Sequence, residues 1–535
     1  MKRREFMERF NLGYRPLRRP FTSDAPPNVT LALDEHTSPM TRAEVTHLLR
    51  RFCFAPTADM INQYEGKTAA ELVDVLLGPT DDEIPQAAEA DWNSKPEQDP
   101  LSVGNQEIRD QIKDALSTRY GQFCNWWIDL MLEDETPSRE KLVLFWSTVW
   151  CIEFTYDTLA LLPPPLMYRN NQVLRADRLA NYRKLAEDVT LSGAMLLYQS
   201  LQYSTIENDQ IPNENYMREL LELFTMGIGN YTETDIREGS RALTGWRTHA
   251  YLQQPNALKD PFETYFWPSA HDIEQKTFMN QVISARDEVD NNEFQVQEDE
   301  LRNGILRIMF EERGTQIAKF ICDKIYKYFV YSNNSVDVSA AVDDLAQVMI
   351  DNDYELRPVF RKLFTSQMFF SDGFMGCQIK PPPEFIVGLQ RQLGVQDYEN
   401  SLEAIFALEQ KLYDPPDVGS WEAYRTWIST TTFPLRVKYA KEILAKASNE
   451  MLIALGKKMP EYQDADKFIE HLTNYFLPVP MDETRLSEYK IEMLVEAGTN
   501  EAGWGNLIDS EAKSAGDAIR LVINNLIYTP DFQLS

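Results

Sequence analysis

The sequence predicts a mainly α protein: a large multi-helix array with long acidic and proline-rich loops and little or no β-sheet. Apolar residues recur at three- and four-residue spacing through most of the chain after Thr41. Capping residues punctuate those runs, and the period-two alternation of strands is scarce. A hydrophobic share of 43% and an aromatic share of 11% in 535 residues supply an ample core and exclude wholesale disorder.

Residues 21–40, rich in Pro, Thr, Ser and Asp, read as a linker. Thr41 with Glu44 forms a capping box ahead of the apolar face Val45, Leu48 and Leu49. A second helix over 69–77 stops at Gly78-Pro79, and the acidic, proline-bearing stretch 80–105 reads as a solvated loop. Helical periodicity fills 105–133 and 137–162, the latter ended by Pro163-Pro164-Pro165. Further helices are expected over 172–202, 213–227 and 233–244, with 250–300 irregular and acidic. The pattern resumes over 301–331, 336–351, 355–370, 382–394, 400–412, 433–456, 464–476, 484–497 and 511–528. The resulting division is a basic arm and linker (1–40), an N-terminal helical domain (41–300) and a C-terminal helical domain (301–535).

One internal echo stands out. Arg357-x-Val359-x-x-x-Leu363-x-x-Ser366-x-x-Phe369 is matched by Arg520-x-Val522-x-x-x-Leu526-x-x-Thr529-x-x-Phe532. Val and Leu four apart share a helix face, and the hydroxyl marks the helix end. Two copies are too few for a solenoid and read as a recurring way to end a helix.

Lys plus Arg number 53 and Asp plus Glu 83, giving a net charge of −30. So acidic a surface repels phosphate backbones and anionic lipid, which argues against nucleic-acid partners. No run has the length of an integral membrane segment. The basic residues of the arm, Arg3, Arg4, Arg18 and Arg19 among them, would dock on acidic surface of this chain or of a neighbour. Arg3-Arg4-Glu5-Phe6 has the look of a twin-arginine export signal, but no apolar h-region follows, which favours the cytoplasm.

The five cysteines have no pair spacing and sit among apolar residues, so they read as buried reduced thiols. Only one Glu-x-x-His occurs, Glu44 with His47, where di-iron bundles want two; the five histidines form no zinc pattern, and no EF-hand loop appears. No metal or other cofactor is expected. No Gly-x-Ser-x-Gly elbow and no phosphate-cradling glycine loop is found.

The most telling segment is Pro212-Asn213-Glu214-Asn215-Tyr216-Met217-Arg218-Glu219-Leu220-Leu221-Glu222-Leu223-Phe224-Thr225-Met226-Gly227. Tyr231-Thr232-Glu233-x-Asp235-Ile236 and Arg241-Ala242-Leu243-Thr244-Gly245-Trp246 follow it. Together with His271-Asp272, Lys276-Thr277-Phe278, Pro382-Pro383-Glu384, Trp421, Trp427 and Thr529-Pro530-Asp531-Phe532, these blocks resemble the DUF1800 family in order from about residue 41 to the end. The resemblance implies a largely helical bacterial protein, often exported by a twin-arginine route, with a DUF1501-like protein as a paired partner. It carries over no catalytic residues. Where relatives tend to read Phe-Trp-His-Asn-His-Phe, this chain has Phe145-Trp146-Ser147-Thr148-Val149-Trp150, and both imidazoles are missing.

Within this signature Asn213 is placed as an N-cap, and Arg218 pairs at i,i+4 spacing with Glu214 and Glu222. Glu219 and Glu222 share a face, Thr232 caps the next helix with Asp235, and Gly245 supplies a left-handed stop. The structural reading is a helical hairpin stapled by Arg218 and Arg241 and finished by Trp246. The catalytic reading gathers Glu214, Glu219, Glu222, Asp235 and His271 around a polar pocket, with His271-Asp272 as base and orienter. The tryptophans Trp126, Trp127, Trp146 and Trp150 read as core, and Trp421, Tyr424 and Trp427 as an exposed recognition loop. The expectation is a non-catalytic interaction or scaffold protein acting in a complex or by self-assembly. The alternative is a hydrolase of an envelope substrate.

Overall fold

A computed structural model describes residues 29–79, 83–133, 138–155, 161–251, 261–333, 336–396 and 398–535. The chain is mainly α-helical, with two two-stranded antiparallel sheets among the described residues. The arm bearing Arg3, Arg4, Arg18 and Arg19 lies outside the described residues.

Local chemistry sets most helix starts. Thr41 and Glu44 form the expected capping box at helix Arg42–Phe52, and Thr68 with Glu71 repeats it at Ala69–Leu77. The long apolar runs split where a polar cap intervenes. Residues 172–202 are covered by Pro164–Asp177, Tyr182–Thr190 and Gly193–Tyr198, with Asn181 and Ser192 accepting from backbone N–H groups at the breaks. Ser448 likewise divides Thr432–Lys446 from Asn449–Gly456.

The triple proline begins a helix rather than ending one. The preceding helix, Arg139–Val149, stops early, and Pro164–Asp177 starts on its prolines. Proline has no backbone N–H to donate, and the first turn of a helix is where that donor goes unused. Helices Ala58–Tyr64 and Glu501–Asp509 are additions to the expected set. Gly503 and Gly505 weaken the helical signal of the second.

The stretch expected to be irregular holds the strands: β1 (Trp246–Thr248) pairs with β2 (Thr264–Phe266), and β3 (Lys276–Phe278) with β4 (Gln281–Ile283). The β3–β4 turn puts Met279 and Asn280 both at positive φ, +47° and +65°, as a two-residue hairpin turn requires.

Buried apolar side chains from Leu33 to Phe532 form one contiguous cluster. Trp127, Trp146 and Trp150 are fully buried, and Trp146 and Trp150 both pack on Tyr182. None of the five cysteines is in a disulfide; four are buried and Cys377 is half-buried.

The internal echo is a repeated contact as well as a repeated sequence. Arg357 donates to the carbonyls of Gly78 (2.8 Å) and Pro79 (3.1 Å), just past the end of Ala69–Leu77. Arg520 donates to those of Leu444 (2.7 Å) and Ala447 (2.6 Å), at the end of Thr432–Lys446. Each arginine thus satisfies orphan carbonyls at another helix's C-terminus and complements its dipole. Ser366 and Thr529 then donate to Leu363 and Leu526, and Phe369 and Phe532 are buried. Each tail also pairs with an extended segment, Glu35 with Ser366 and Ile379 with Leu534. Replacing Arg520 with Met is expected to cost about 1–3 kcal/mol in urea unfolding, because part-buried carbonyls lose their donors.

Candidate functional site

The signature segment opens with Glu214 at the N-cap rather than the expected Asn213, and then departs from α geometry. Asn213 Oδ1 accepts from the Asn215 N–H at 2.9 Å, and helix Asn215–Glu219 follows. From Leu220 to Thr225 the backbone is π-helical, with the Met226 N–H reaching back to the Leu221 carbonyl (3.1 Å) and Thr225 Oγ1 to that of Leu220 (2.5 Å). Residues Gln297–Leu306 form a second π-helical segment. Such segments are rare and concentrate at functional sites.

Around Arg218 the signature carboxylates gather at the surface. Its guanidinium meets Glu233 at 2.8 Å, with Glu214 (3.8 Å) and Glu222 (3.7 Å) at the expected i,i+4 positions. Glu222 also accepts from the Tyr231 hydroxyl. Hydrogen bonding to Glu233 holds the Arg218 proton more firmly than usual. Glu219 is half-buried; burial, then the neighbouring Glu222 charge, pushes its carboxyl above the usual range.

The other candidates belong to a second, buried network. Asp235 closes the capping box with Thr232, and its other oxygen accepts from the Met279 N–H at 2.8 Å, which holds the strained β3–β4 turn against helix Glu233–Ala242. Arg241 grips Asp272 through Nε (2.7 Å) and Nη2 (3.2 Å) and reaches Glu238 at 2.8 Å. His271 is 2% exposed, and both its ring nitrogens face oxygen acceptors: Nδ1 the Thr244 carbonyl (2.9 Å) and Nε2 Glu300 (3.1 Å). Glu300, 1% exposed, also takes Lys276 Nζ at 2.7 Å and Arg286 Nε at 2.9 Å. Burial alone would raise the Glu300 carboxyl, but the hydrogen bond from His271 and the charges around it hold it below its ordinary value. Gly245, at φ +91°, turns the chain between these groups; a Cβ there would meet Phe266 at 2.9 Å and the Trp267 carbonyl at 3.1 Å. Trp246 is 1% exposed and packs edge-on against Phe266.

Thus Glu214, Glu219 and Glu222 lie by Arg218, whereas Asp235 and His271 belong to the buried network. No hydrogen bond or ion pair joins the two sets among the described residues. A carboxylate with three donors, as Glu300 has, is not a free base. Glu300 and Arg286 were not foreseen, because the run Glu298-Asp299-Glu300 reads as a solvated loop, and its partners His271 and Lys276, 29 and 24 residues away, leave no local signal. Among the described residues no three His, Cys, Asp or Glu side chains gather as a metal ligand set, and no helix is long and apolar enough to cross a membrane.

The aromatic loop differs from the exposed patch expected. Trp427 is buried, and Trp421 and Tyr424 are half-buried, with Tyr424 packed edge-on against Tyr331 at 5.6 Å. Ser420 and Tyr424 take positive φ, +80° and +67°, a strained backbone that tertiary contacts must hold.

Fold and site together define a large helical protein whose signature segment is held by ion pairs between its own elements. The chain belongs to the DUF1800 family: the family model, a protein of unknown function (DUF1800), matches residues 47–534. No curated protein and no solved structure matches it.

Proposed function

We propose that the protein is a non-catalytic interaction or scaffold subunit, working in a protein complex or as a homo-oligomeric assembly, with a DUF1501-like protein as a candidate partner. What carries the reading is an apolar surface beside the signature. Ile211 is 83% exposed, Tyr203 62%, Trp267 44% and Ile206 36%. The segments that bear them are tied together, Ile206 N–H to the Ala270 carbonyl (3.1 Å) and Trp267 Nε1 to Glu207 (3.2 Å). Arg247 stacks on Trp267 and pairs with Glu207, so the patch has aromatic anchors and a charged rim, the composition of binding hot spots. Engagement of the signature charges in internal ion pairs is consistent with a positioning role for that segment.

The test is native co-purification of the full chain. Ile211→Asp is expected to remove a co-purifying partner, or to shift the elution of the self-assembly, with the melting temperature unchanged at so exposed a position. Deleting residues 1–20 is expected to weaken assembly more than folding, since the arm is basic and the body acidic. Identical elution and identical partners in both variants would refute the proposal.

A hydrolase reading rests on Glu219, whose carboxyl is raised by burial and by Glu222, the tuning a general acid needs. It requires that Glu219→Gln abolish hydrolysis of a cell-envelope preparation by the purified chain.

A further inference from the structure

A cleft of about 430 Å³ lies between the segment 86–93 and helix Pro164–Asp177. That volume falls in the range of about 300–1,000 Å³ that small-molecule sites occupy. Gln86, Glu89, Asn93, Tyr168, Arg169 and Gln172 line it, and Ala87 is the one aliphatic side chain in its wall.

The wall is held by side chains rather than by a backbone ladder. Tyr168 and Gln172, four apart on their helix, meet at 2.8 Å from Gln172 Nε2 to the hydroxyl. The Ala87 N–H donates to the same hydroxyl at 3.0 Å, which in turn donates to Gln86 Oε1 at 3.1 Å. Gln172 Nε2 also reaches the Pro85 carbonyl at 3.0 Å. Asn93 closes the segment's far end, accepting from the Ala90 N–H at 2.9 Å and donating to the Ala88 carbonyl at 3.0 Å. Arg169 Nη1 donates to the Asn93 carbonyl at 3.2 Å, and its guanidinium lies 5.0 Å over the Phe262 ring. A stretch that reads as a solvated loop is thus fixed against the helix, and a fixed wall loses little entropy when a ligand enters.

What these bonds leave unspent defines the ligand. Glu89 is exposed, and its carboxylate makes no hydrogen bond or ion pair among the described residues. Gln86 is also exposed, and its amide nitrogen has a single weak contact, the Ile84 carbonyl at 3.3 Å, so one of its two N–H groups is spare. One carboxylate and one guanidinium in the wall cancel, which gives neither an anion nor a cation a net attraction. A wall whose only aliphatic side chain is alanine offers an apolar ligand little area to bury. Spare acceptors and a spare donor at fixed positions suit hydroxyl groups, which both give and accept hydrogen bonds.

We propose that this cleft binds a neutral saccharide of about one or two sugar units, Glu89 accepting from its hydroxyls and Gln86 donating to them. The proposal stands apart from the interaction reading and does not depend on it. Since each hydroxyl exchanges water for protein, the affinity expected is about millimolar.

The experiment titrates the full-length chain with glucose, N-acetylglucosamine, maltose, cellobiose and diacetylchitobiose, read by calorimetry and by tryptophan emission. Trp92 and Trp126 are half-buried with their rings 5.5 and 5.2 Å from that of Tyr168, close enough to report an occupied cleft. Saturable binding of at least one sugar is expected, with a change in emission. Glu89→Ala is expected to weaken it roughly tenfold with the melting temperature unchanged, because the side chain is exposed and holds nothing in the fold. Absence of binding by all five sugars would overturn the assignment, as would equal affinity in the Glu89→Ala chain. Tighter binding of glucuronic acid or glucosamine than of glucose would overturn the choice of a neutral ligand.

Discussion

Replacing Glu300 with Ala is expected to cost about 3–5 kcal/mol of stability, read as a lowered urea midpoint of the full chain. The carboxylate is 1% exposed and is the shared partner of His271, Lys276 and Arg286. Removing it leaves buried cationic groups facing one another without compensation. Because the folded-state carboxyl lies below its ordinary value, its contribution is full above about pH 4.5 and is lost as pH falls through the lower folded value. The unaltered chain should therefore lose stability on acidification more steeply than Glu300→Ala, which has already forfeited that share. Parallel acid titrations of the two would show it. A scaffold reading predicts that the variant loses fold and partner together, since these residues tie β3 and the Gln297–Leu306 segment to His271 and, through it, to the Thr244 carbonyl just beyond helix Glu233–Ala242.

The second large effect is expected at Glu140. Arg175, fully buried, grips it at 2.8 and 2.6 Å through Nε and Nη2, and Trp127 Nε1 donates to it at 2.8 Å. Glu140→Ala strands a buried guanidinium and an indole N–H, again at a cost of about 3–5 kcal/mol. Glu140→Ala with Arg175→Met should recover much of that loss, because the desolvation of both charges disappears along with their attraction. Thermal or urea unfolding of the single and double variants closes the cycle. A double variant no more stable than Glu140→Ala would mean that the pair contributes through its shape and its Trp127 contact instead.

What the sequence discloses here is what neighbours along the chain decide. The capping boxes at Thr41 and at Thr232 with Asp235, and the pairs of Arg218 with Glu214 and Glu222, are three- and four-residue relations, and all are found. Helix content follows from the same short periods. Glu300 meets His271 and Lys276 across 29 and 24 residues, through a hairpin that no local pattern specifies. The π-helical turns likewise arise from packing, with Tyr182 donating to the Phe224 carbonyl and Thr190 meeting the Tyr216 hydroxyl at 2.6 Å. Trp427 reads as exposed because its loop is rich in proline and polar residues, yet tertiary contacts bury it. Proline at Pro163-Pro164-Pro165 can stop one helix or begin the next, and only the packing beyond Leu162 selects between them.

Helix Arg42–Phe52 carries a further consequence for how the chain is made. His47 faces the Phe369 carbonyl, Arg51 donates to that of Phe374 and Arg50 to those of Asn474 and Tyr475. During synthesis these partners leave the ribosome hundreds of residues after Arg42–Phe52 has emerged. The nascent chain must hold that amphipathic segment open, or shielded by a chaperone, until the far end arrives to close over it.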